Sequence, residues 1–321
     1  MAALSAATGR SRAPSAAGVR VRCPAKINLG FWIAGRRPDG YHEVDTILQT
    51  ITLEDELTLV PATEEGIRLE MRGRAIQGPG PNLVERAWDL LRAEGLVTNL
   101  GVHARLTKRI PVGAGLGGGS SDAAGLLAGA SRLFDLELSI DDLRALGARL
   151  GADVPFLLRG GTARGTGRGD QVRQLCPIPP VWTVLASPPF GISTTWAYGQ
   201  VRKRLTHLGT AGNVLETAIA AGRLPDVAAA MRNVFEDVVL PEYPVLDALK
   251  RAMESRGAIK AQLTGSGSSL FGFVCTHDEA LAIAKGIAGT GAEVRVVRTL
   301  ERGVAVAPLA SSQARGRTGL A

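Results

Sequence analysis

A cluster of glycines about one third of the way along the chain constrains the fold more than any other segment. Five glycines lie within residues 113–119, Ser120 and Ser121 follow, and an Ala- and Leu-rich stretch to about Phe134 predicts a helix. Glycine adopts backbone conformations closed to other residues and lets a ligand approach closely. The first amides of a helix lack helical partners and carry partial positive charge. The segment therefore predicts an anion-binding loop, with a phosphate as the expected ligand.

Two other glycine-rich motifs match this segment less well. A P-loop places a lysine after its glycines, and no lysine follows here. Gly113, Gly115 and Gly118 satisfy the GxGxxG pattern of dinucleotide-binding folds, but that pattern follows a buried parallel strand. The preceding residues 102–108 instead alternate in polarity, which is typical of a half-exposed strand. A dinucleotide-dependent oxidoreductase is thus a weaker alternative, and a non-catalytic nucleotide-binding protein stays open as well.

Composition excludes several other classes of protein. The chain has 321 residues of which 45% are apolar, enough for a full core in one large domain or two ordinary ones. Its three cysteines form no CxxC pair and its four histidines have no metal-ligand spacing, so we expect neither disulfides nor a zinc site. No apolar run reaches the length of a membrane span. We therefore expect a cytoplasmic protein with no membrane partner.

The formal charge of +7 suggests nucleic-acid binding until its distribution along the chain is considered. Six arginines lie near the two ends, which contain no acidic residue, at positions 10, 12, 20, 22, 315 and 317. Without these six the charge falls from +7 to +1, so we expect no basic face on the body and no nucleic-acid partner. Residues 1–20 and 309–321 are predicted to be disordered extensions.

The body of the chain predicts an N-terminal α+β domain at residues 21–175 and a C-terminal one at 176–308. In the first, two strands are expected within 44–60 around a polar turn at 53–56. A capping box at Asn82 predicts a helix through Leu91. In the second, the patterns predict strands at 182–186 and 291–298 and helices at 195–203, 213–238 and 244–256.

Four segments, in order along the chain, resemble the motifs of the GHMP kinases, which use ATP to phosphorylate small alcohols. They are residues 24–29 with 37–43, 108–124, 150–156 and 263–269. The triple glycine before Ser120 and the first segment are most similar to members acting on a cytidine diphosphate-linked methylerythritol in the non-mevalonate isoprenoid pathway. A GHMP kinase for another small alcohol is the alternative within the superfamily.

The resemblance implies a fold and a set of ligands. The fold is the two-domain GHMP kinase architecture, with a ribosomal S5 domain 2-like N-terminal domain and a ferredoxin-like C-terminal domain around a cleft. The cofactors implied are ATP and Mg²⁺, and the substrate is a small molecule with a cytidine diphosphate group. Protein ligands for the metal are not expected beyond the hydroxyl of Ser120 or Ser121.

Two residues are implied to be catalytic. Spacing alone makes Asp153, near Pro155, more typical of a helix cap, and Lys26 more typical of a lysine reaching out from a strand edge. The resemblance implies instead that Asp153 is the catalytic base and that Lys26 pairs with it to activate the substrate hydroxyl. Asn28 lies one strand repeat from Lys26, so its side chain shares that face and the substrate site.

The remaining site residues also follow from the resemblance. Tyr41 is expected to stack on the cytosine, His42 to hydrogen-bond to it, and Tyr198 to supply a second aromatic face; alone, they are ordinary loop and helix residues. Gly265, Ser266 and Gly267 of the third motif are expected to pack against the phosphate loop, with a plain hairpin turn as the alternative. The ATP-binding residues expected are Pro111, Val112, Gly113, Ala114, Gly115, Leu116, Gly117, Gly118, Gly119, Ser120 and Ser121.

Overall fold

The computed structural model describes residues 17–38, 40–74, 82–204 and 211–309, without the side chains of 202–204 and 211. Of the extensions expected at 1–20 and 309–321, residues 1–16 and 310–321 lie outside the described residues, as does Asp39 of the first motif. Val19 and Arg20, expected in the first extension, lie in a strand instead. None of the described helices is long and apolar enough to cross a membrane. The domain boundaries expected at residues 21, 176 and 308 stay predictions.

The strands form one mixed sheet, and β12, β1, β2, β11, β7, β10 and β9 follow one another across it. β4 pairs antiparallel with β2 and parallel with β3, and β5 joins β2 to β6. The strands are β1 Val19–Arg36, β2 His42–Ala62, β3 Gly66–Gly73, β4 Gly101–Lys108, β5 Thr162–Thr166, β6 Gln171–Gln174, β7 Trp182–Ser187, β8 Arg232–Asn233, β9 Lys260–Leu263, β10 Leu270–Val274, β11 Glu293–Leu300 and β12 Ala305–Pro308.

The helices pack on this sheet around two apolar cores. One core joins α1–α4 to the N-terminal part of β1 and to β2 and β4, and the other joins α5–α10 to the remainder of β1 and to β7–β11. The helices are α1 Leu83–Ala93, α2 Gly118–Phe134, α3 Ile140–Leu150, α4 Val154–Arg159, α5 Thr194–Arg204, α6 Ala211–Ala221, α7 Leu224–Ala230, α8 Glu236–Glu242, α9 Pro244–Glu254 and α10 His277–Ile287.

The polar segment at 53–56 is not the turn that the sequence predicted. β2 runs unbroken through it, and the register against β1 shifts there, from Pro24 opposite Glu54 to Ala25 opposite Ile51. The segment is therefore a bulge, which bends a strand without ending it. Asp55 points inward at this bulge and is fully buried. Its polarity therefore reflects an ionic contact with Lys108 inside the protein, not exposure to solvent.

The single helix predicted at 213–238 is also wrong. The chain instead forms α6, α7, the short strand β8 and α8. Gly222 has a φ of +73° just after α6, and Pro225 lies in the first turn of α7. Met231 is extended and ends α7, after which Arg232 and Asn233 pair with β1. Apolar periodicity continues across these breaks, which is why the pattern suggested one long helix.

Helix α2, which begins at the glycine loop, lies close to the sheet because two of its residues lack side chains. A Cβ at Gly125 would collide with Cys23 Sγ, and one at Gly129 would lie 2.7 Å from a Leu59 methyl and 2.9 Å from a Val21 methyl. Both glycines face buried side chains of the sheet, so these contacts set how closely the helix packs on the sheet. The position of the loop at its N-terminus depends on this contact.

We expect Gly129→Val to lower the free energy of unfolding by about 1–3 kcal/mol, because the added methyls overpack a closed core. Urea unfolding followed by circular dichroism measures the change. Gly199→Val is the matched control: it places the same side chain on α5, where a Cβ meets nothing within 4 Å. Equal losses in the two variants would show that α2 does not need its close contact with the sheet.

Candidate active site

The glycine loop enters α2 in a conformation suited to glycine. Gly113, Gly115 and Gly117 have φ values of +67°, +77° and +70°, in the left-handed region that other residues rarely adopt. The first helical hydrogen bond runs from the Ser121 amide to the Gly117 carbonyl, at 2.9 Å. The amides of 118–120 precede it and have no partner within the helix. This is the anion-binding arrangement that the sequence predicted.

Three hydrogen bonds tie the loop to both halves of the molecule. The Lys26 amide of β1 donates to the Leu116 carbonyl at 3.0 Å, and the Ser269 amide donates to the Ala114 carbonyl at 3.2 Å. The Thr264 hydroxyl donates to the Gly115 carbonyl at 3.3 Å.

The third motif lies against the loop at Gly115. A Cβ there would collide with the Thr264 carbonyl oxygen, and one at Gly265 would lie 3.4 Å from the Gly115 Cα. Ser266 exchanges a hydrogen bond with Thr194 at 3.2 Å, and a Cβ at Gly267 would lie 3.1 Å from a methyl of Ile192. The segment 265–267 thus packs on the phosphate loop on one side and on the start of α5 on the other.

Lys26 and Asp153 meet beside the end of this loop. Lys26 Nζ lies 3.6 Å from Asp153 Oδ2, and the two side chains are 6% and 33% exposed. A Cβ at Gly117 would lie 2.9 Å from Lys26 Cγ and 3.5 Å from Asp153 Oδ2. The structure therefore brings the two residues expected to be catalytic together, directly against the last loop residue before α2.

Asp153 precedes α4 but its side chain does not cap it. No cap hydrogen bond is made by this side chain, and the residue has helical dihedral angles, φ −79° and ψ −17°. Asn82 and Ser139, in contrast, both make capping boxes in this chain. The capping interpretation that spacing favoured is therefore wrong, and the carboxylate is turned toward Lys26 instead.

Asn28 holds Lys26 in place. Lys26 Nζ donates to Asn28 Oδ1 at 2.7 Å, which shows the two side chains on one face of β1 as expected. Asn28 Nδ2 in turn donates to the Thr46 hydroxyl at 2.8 Å. The Thr264 hydroxyl, 3.3 Å away, also contacts Asn28 Oδ1. Asn28 is buried, so this network fixes the ammonium group with little freedom.

The three residues expected to bind cytosine lie in different settings. Tyr41 is 59% exposed, with the Arg168 guanidinium 5.4 Å from its ring centroid. His42 and Tyr198 stack on each other with centroids 4.8 Å apart. Tyr198 also packs edge-on against Phe235. Burial, and to a smaller extent the charge of Asp153, raise the pKa of Tyr198, which therefore stays protonated near neutral pH.

The two serines after the glycines differ in access. Ser120 is half-buried, and its hydroxyl lies 3.6 Å from where a Cβ of Gly151 would be. Ser121 is fully buried, and its hydroxyl has no hydrogen-bond partner among the described residues. The described part of the chain contains no group of three or more His, Cys, Asp or Glu residues that could hold a metal ion.

The sequence prediction missed a second ionic cluster, behind the loop. Lys108 contacts both Asp55 and Asp122, and all three side chains are buried. Asp122 had no special role in the sequence analysis. The sequence did contain an indication that Lys108 is buried. Lys108 follows Val102, Ala104 and Leu106 on the apolar face of the alternating β4 strand.

We expect Gly117→Ala to reduce turnover at least about tenfold more than Gly113→Ala does. Both substitutions carry the same backbone cost because both residues have φ near +70°. The two variants differ in the room around the new methyl group. At 117 it faces Lys26 and Asp153, whereas at 113 nothing lies within 4 Å of it. Steady-state ADP release with each purified variant is the measurement. Equal losses would mean that the loop conformation matters but its contact with Lys26 does not.

Comparison with known proteins agrees with this geometry. The family profile for the GHMP kinases N terminal domain matches residues 82–161, and that for the GHMP kinases C terminal matches 215–292. The chain is 40% identical over 275 residues to 4-diphosphocytidyl-2-C-methyl-D-erythritol kinase of Pelotomaculum thermopropionicum, covering 86% of this chain and 96% of that one. It is 38% identical to the same-named kinase of Bacillus pumilus, covering 87% and 96%.

Solved structures give the same result. A crystal structure of a 4-(cytidine 5'-diphospho)-2C-methyl-D-erythritol kinase matches with a TM-score of 0.71 and 33% identity, covering 87% of this chain and 98% of that chain. A homoserine kinase from Cytophaga hutchinsonii matches with a TM-score of 0.72 at 20% identity, covering 91% and 98%, and supports the fold alone. By its fold, its motifs and its relatives, this chain belongs to the 4-diphosphocytidyl-2-C-methyl-D-erythritol kinase family of GHMP kinases.

Proposed function

We propose that this chain transfers the γ-phosphate of ATP to the 2-hydroxyl of 4-diphosphocytidyl-2-C-methyl-D-erythritol, a step of the non-mevalonate isoprenoid pathway. The observation that carries the proposal is the position of the Lys26–Asp153 pair, 3.6 Å apart and in contact with the end of the phosphate loop. An anion at the N-terminus of α2 and a hydroxyl at Asp153 would be neighbours there. Family membership supports the choice of substrate.

Phosphoryl transfer depends mainly on positioning and on stabilising charge. In our proposal the free amides at the start of α2 bind the triphosphate. Asp153 accepts the proton of the substrate hydroxyl as that oxygen attacks the γ-phosphorus. Lys26, fixed by Asn28, keeps positive charge beside the carboxylate and the developing alkoxide. The one-third exposure of Asp153 leaves its carboxylate accessible to a substrate.

Magnesium fits this site as a partner of the nucleotide rather than as a resident ion. The described residues provide no carboxylate cluster for it, and Mg²⁺ commonly binds through substrate phosphates and water with few protein ligands. Of the two candidate serines, Ser120 is the one that a ligand can reach, because Ser121 is fully buried. Ser120 would supply the protein oxygen for Mg²⁺, which when bound would neutralise phosphate charge.

The cytidine end of the substrate is assigned to Tyr41, His42 and Tyr198. The Tyr198 ring already lies against His42, and its environment includes the charge of Asp153. The ring stacking and the electrostatic influence of Asp153 on Tyr198 support a location for the aromatic side chains on the same side of the molecule as the proposed catalytic carboxylate. Tyr41 is largely exposed, so its ring is accessible to a flat base, and Arg168 lies near that ring.

Three alternative functions fit the structure less well than a kinase for the cytidine-bearing alcohol. A dinucleotide-binding fold needs a buried strand of a parallel sheet before its glycines, whereas β4 is partly exposed and pairs antiparallel with β2 as well as parallel with β3. A non-catalytic nucleotide-binding protein has no need for a partly buried lysine–aspartate pair at the phosphate site, since burying charge is costly. A kinase for another small alcohol would not require the aromatic side chains beside Asp153.

We expect Asp153→Asn to lower turnover by about 10²–10⁴-fold, the range for a positioned general base, while ATP affinity stays within about twofold. Because the Asp153 side chain makes no cap hydrogen bond, the melting temperature should hardly change. A coupled ADP-release assay and calorimetry provide the measurements. Asp141→Asn, which removes an 85% exposed carboxylate on α3, is the control. Near-normal turnover of Asp153→Asn would rule out its role as the base.

Substrate choice is tested separately with Tyr41→Ala. Base stacking is worth about 1–3 kcal/mol, so we expect the variant to raise KM for the cytidine-bearing substrate far more than KM for ATP. Wild type should use 2-C-methyl-D-erythritol 4-phosphate poorly, because that compound lacks the cytidine. Equal kcat/KM on the two alcohols, or a Tyr41→Ala effect confined to ATP, would contradict the substrate assignment and leave the kinase assignment intact.

A further inference from the structure

Three charged side chains are enclosed behind the phosphate loop, away from the Lys26–Asp153 pair. Asp55 and Asp122 are 0% exposed and Lys108 is 3% exposed. Lys108 Nζ donates to Asp122 Oδ2 at 2.7 Å and also to Asp55 Oδ2. A substrate cannot reach this cluster, so its function lies in what it holds in place.

The cluster is attached to both ends of the loop. Asp55 Oδ1 accepts hydrogen bonds from the amides of Arg109 and Ile110, at 2.5 and 2.9 Å, where the chain enters the loop. Asp122 lies in the second turn of α2, where the chain leaves it. Lys108 joins the two carboxylates, and its Nζ lies 3.1 Å from where a Cβ of Gly118 would be. The ammonium is therefore directly beneath the first residue of α2.

Stability alone does not account for such a cluster. Moving three charged groups out of water is costly, and apolar side chains of similar size are often at least as stabilising. Directed hydrogen bonds, however, specify one arrangement of the segments they join, which apolar contacts do less well. Four hydrogen bonds reach the two carboxylates here: two from backbone amides and two from the Lys108 ammonium.

The charge of the cluster is also compatible with an anion above it. Burial raises the pKa of Asp122 well above its ordinary value; Lys108 opposes this rise and Asp55 adds to it. Burial lowers the pKa of Lys108, but the two carboxylates outweigh that and raise it overall. The raised pKa of Asp122 works against a second full negative charge beneath the loop that we propose binds phosphate.

We propose that Asp55, Lys108 and Asp122 are positioning residues for phosphoryl transfer, holding the two ends of the phosphate loop at the spacing that binds the triphosphate of ATP. The inference rests on the proposed function, since it assumes that this loop binds ATP. It assigns Asp122, the last residue of the Ser120–Ser121–Asp122 run, to the underside of the loop and not to the ligand.

The test removes the hydrogen bond from Lys108 to Asp122 on α2 and keeps the contact between Lys108 and Asp55. We expect Asp122→Ala to raise the Kd for ATP about 10- to 100-fold, while KM for the alcohol substrate changes less than about twofold. Asp122→Leu, which fills the same space without an acceptor, should show the same loss even if the alanine variant is too unstable to purify. Asp122→Asn, which keeps an acceptor for Lys108, should recover most of the lost affinity. Calorimetry and steady-state kinetics provide the readouts.

Leu127→Ala is the matched control, since Leu127 is fully buried on the same helix and lies five residues beyond Asp122, away from the glycine loop. It should lower the melting temperature at least as much as Asp122→Ala and leave the Kd for ATP unchanged. The inference is overturned if wild type and Asp122→Leu bind ATP equally well, or if Leu127→Ala weakens ATP binding as much. Failure of wild type to bind ATP would instead overturn the proposed function, and the inference with it.

Discussion

The attachment of the phosphate loop to β1 through Lys26 is the contact on which the site depends. The Lys26 amide holds the Leu116 carbonyl at 3.0 Å, and the Lys26 ammonium lies 3.6 Å from Asp153. One residue therefore contacts the loop that we propose binds ATP through its backbone, and the carboxylate that we propose as the base through its side chain. Since both contacts start from one residue of β1, the strand helps to set the spacing between the loop and Asp153. Thr264 and Ser269 hold the same loop from the C-terminal half, so the site needs both halves.

The molecule uses lysine–aspartate contacts twice around this loop, and exposure separates their roles. On the front, Asp153 is one third exposed and its carboxylate is accessible, which chemistry requires. On the rear, Asp55 and Asp122 are sealed from solvent. Asp55 accepts from Lys108 and two backbone amides, whereas Asp122 accepts from Lys108 through Oδ2 alone. The low polarity of the interior makes a sealed contact rigid and specific, whereas an accessible one can exchange its proton with a substrate.

Much of the local structure was predictable, because it follows from short-range rules. The capping box at Asn82 begins α1, alternation over 102–108 gives β4, and the glycines precede α2 as expected. The two errors in secondary structure share one cause. The turn at 53–56 was predicted from polarity and the helix at 213–238 from apolar periodicity, and neither pattern shows what a segment packs against. A buried partner, Lys108, kept the polar Asp55 inside a strand, and pairing of Arg232 and Asn233 with β1 interrupted a helical pattern.

The sequence by itself determined that a glycine loop leads into a helix at α2, since glycine conformations and helix-terminal amides are local properties of the backbone. It also placed Lys26 and Asn28 on one strand face, because strand periodicity is local. Local patterns did not determine that the Asp153 carboxylate turns to Lys26 instead of capping α4, which only the family resemblance implied. Tertiary structure alone decided that Asp55, Lys108 and Asp122 meet behind the loop. Those contacts join residues far apart in sequence, and they depend on strand register, on the bulge in β2 and on the depth at which α2 packs, none of which a local pattern encodes.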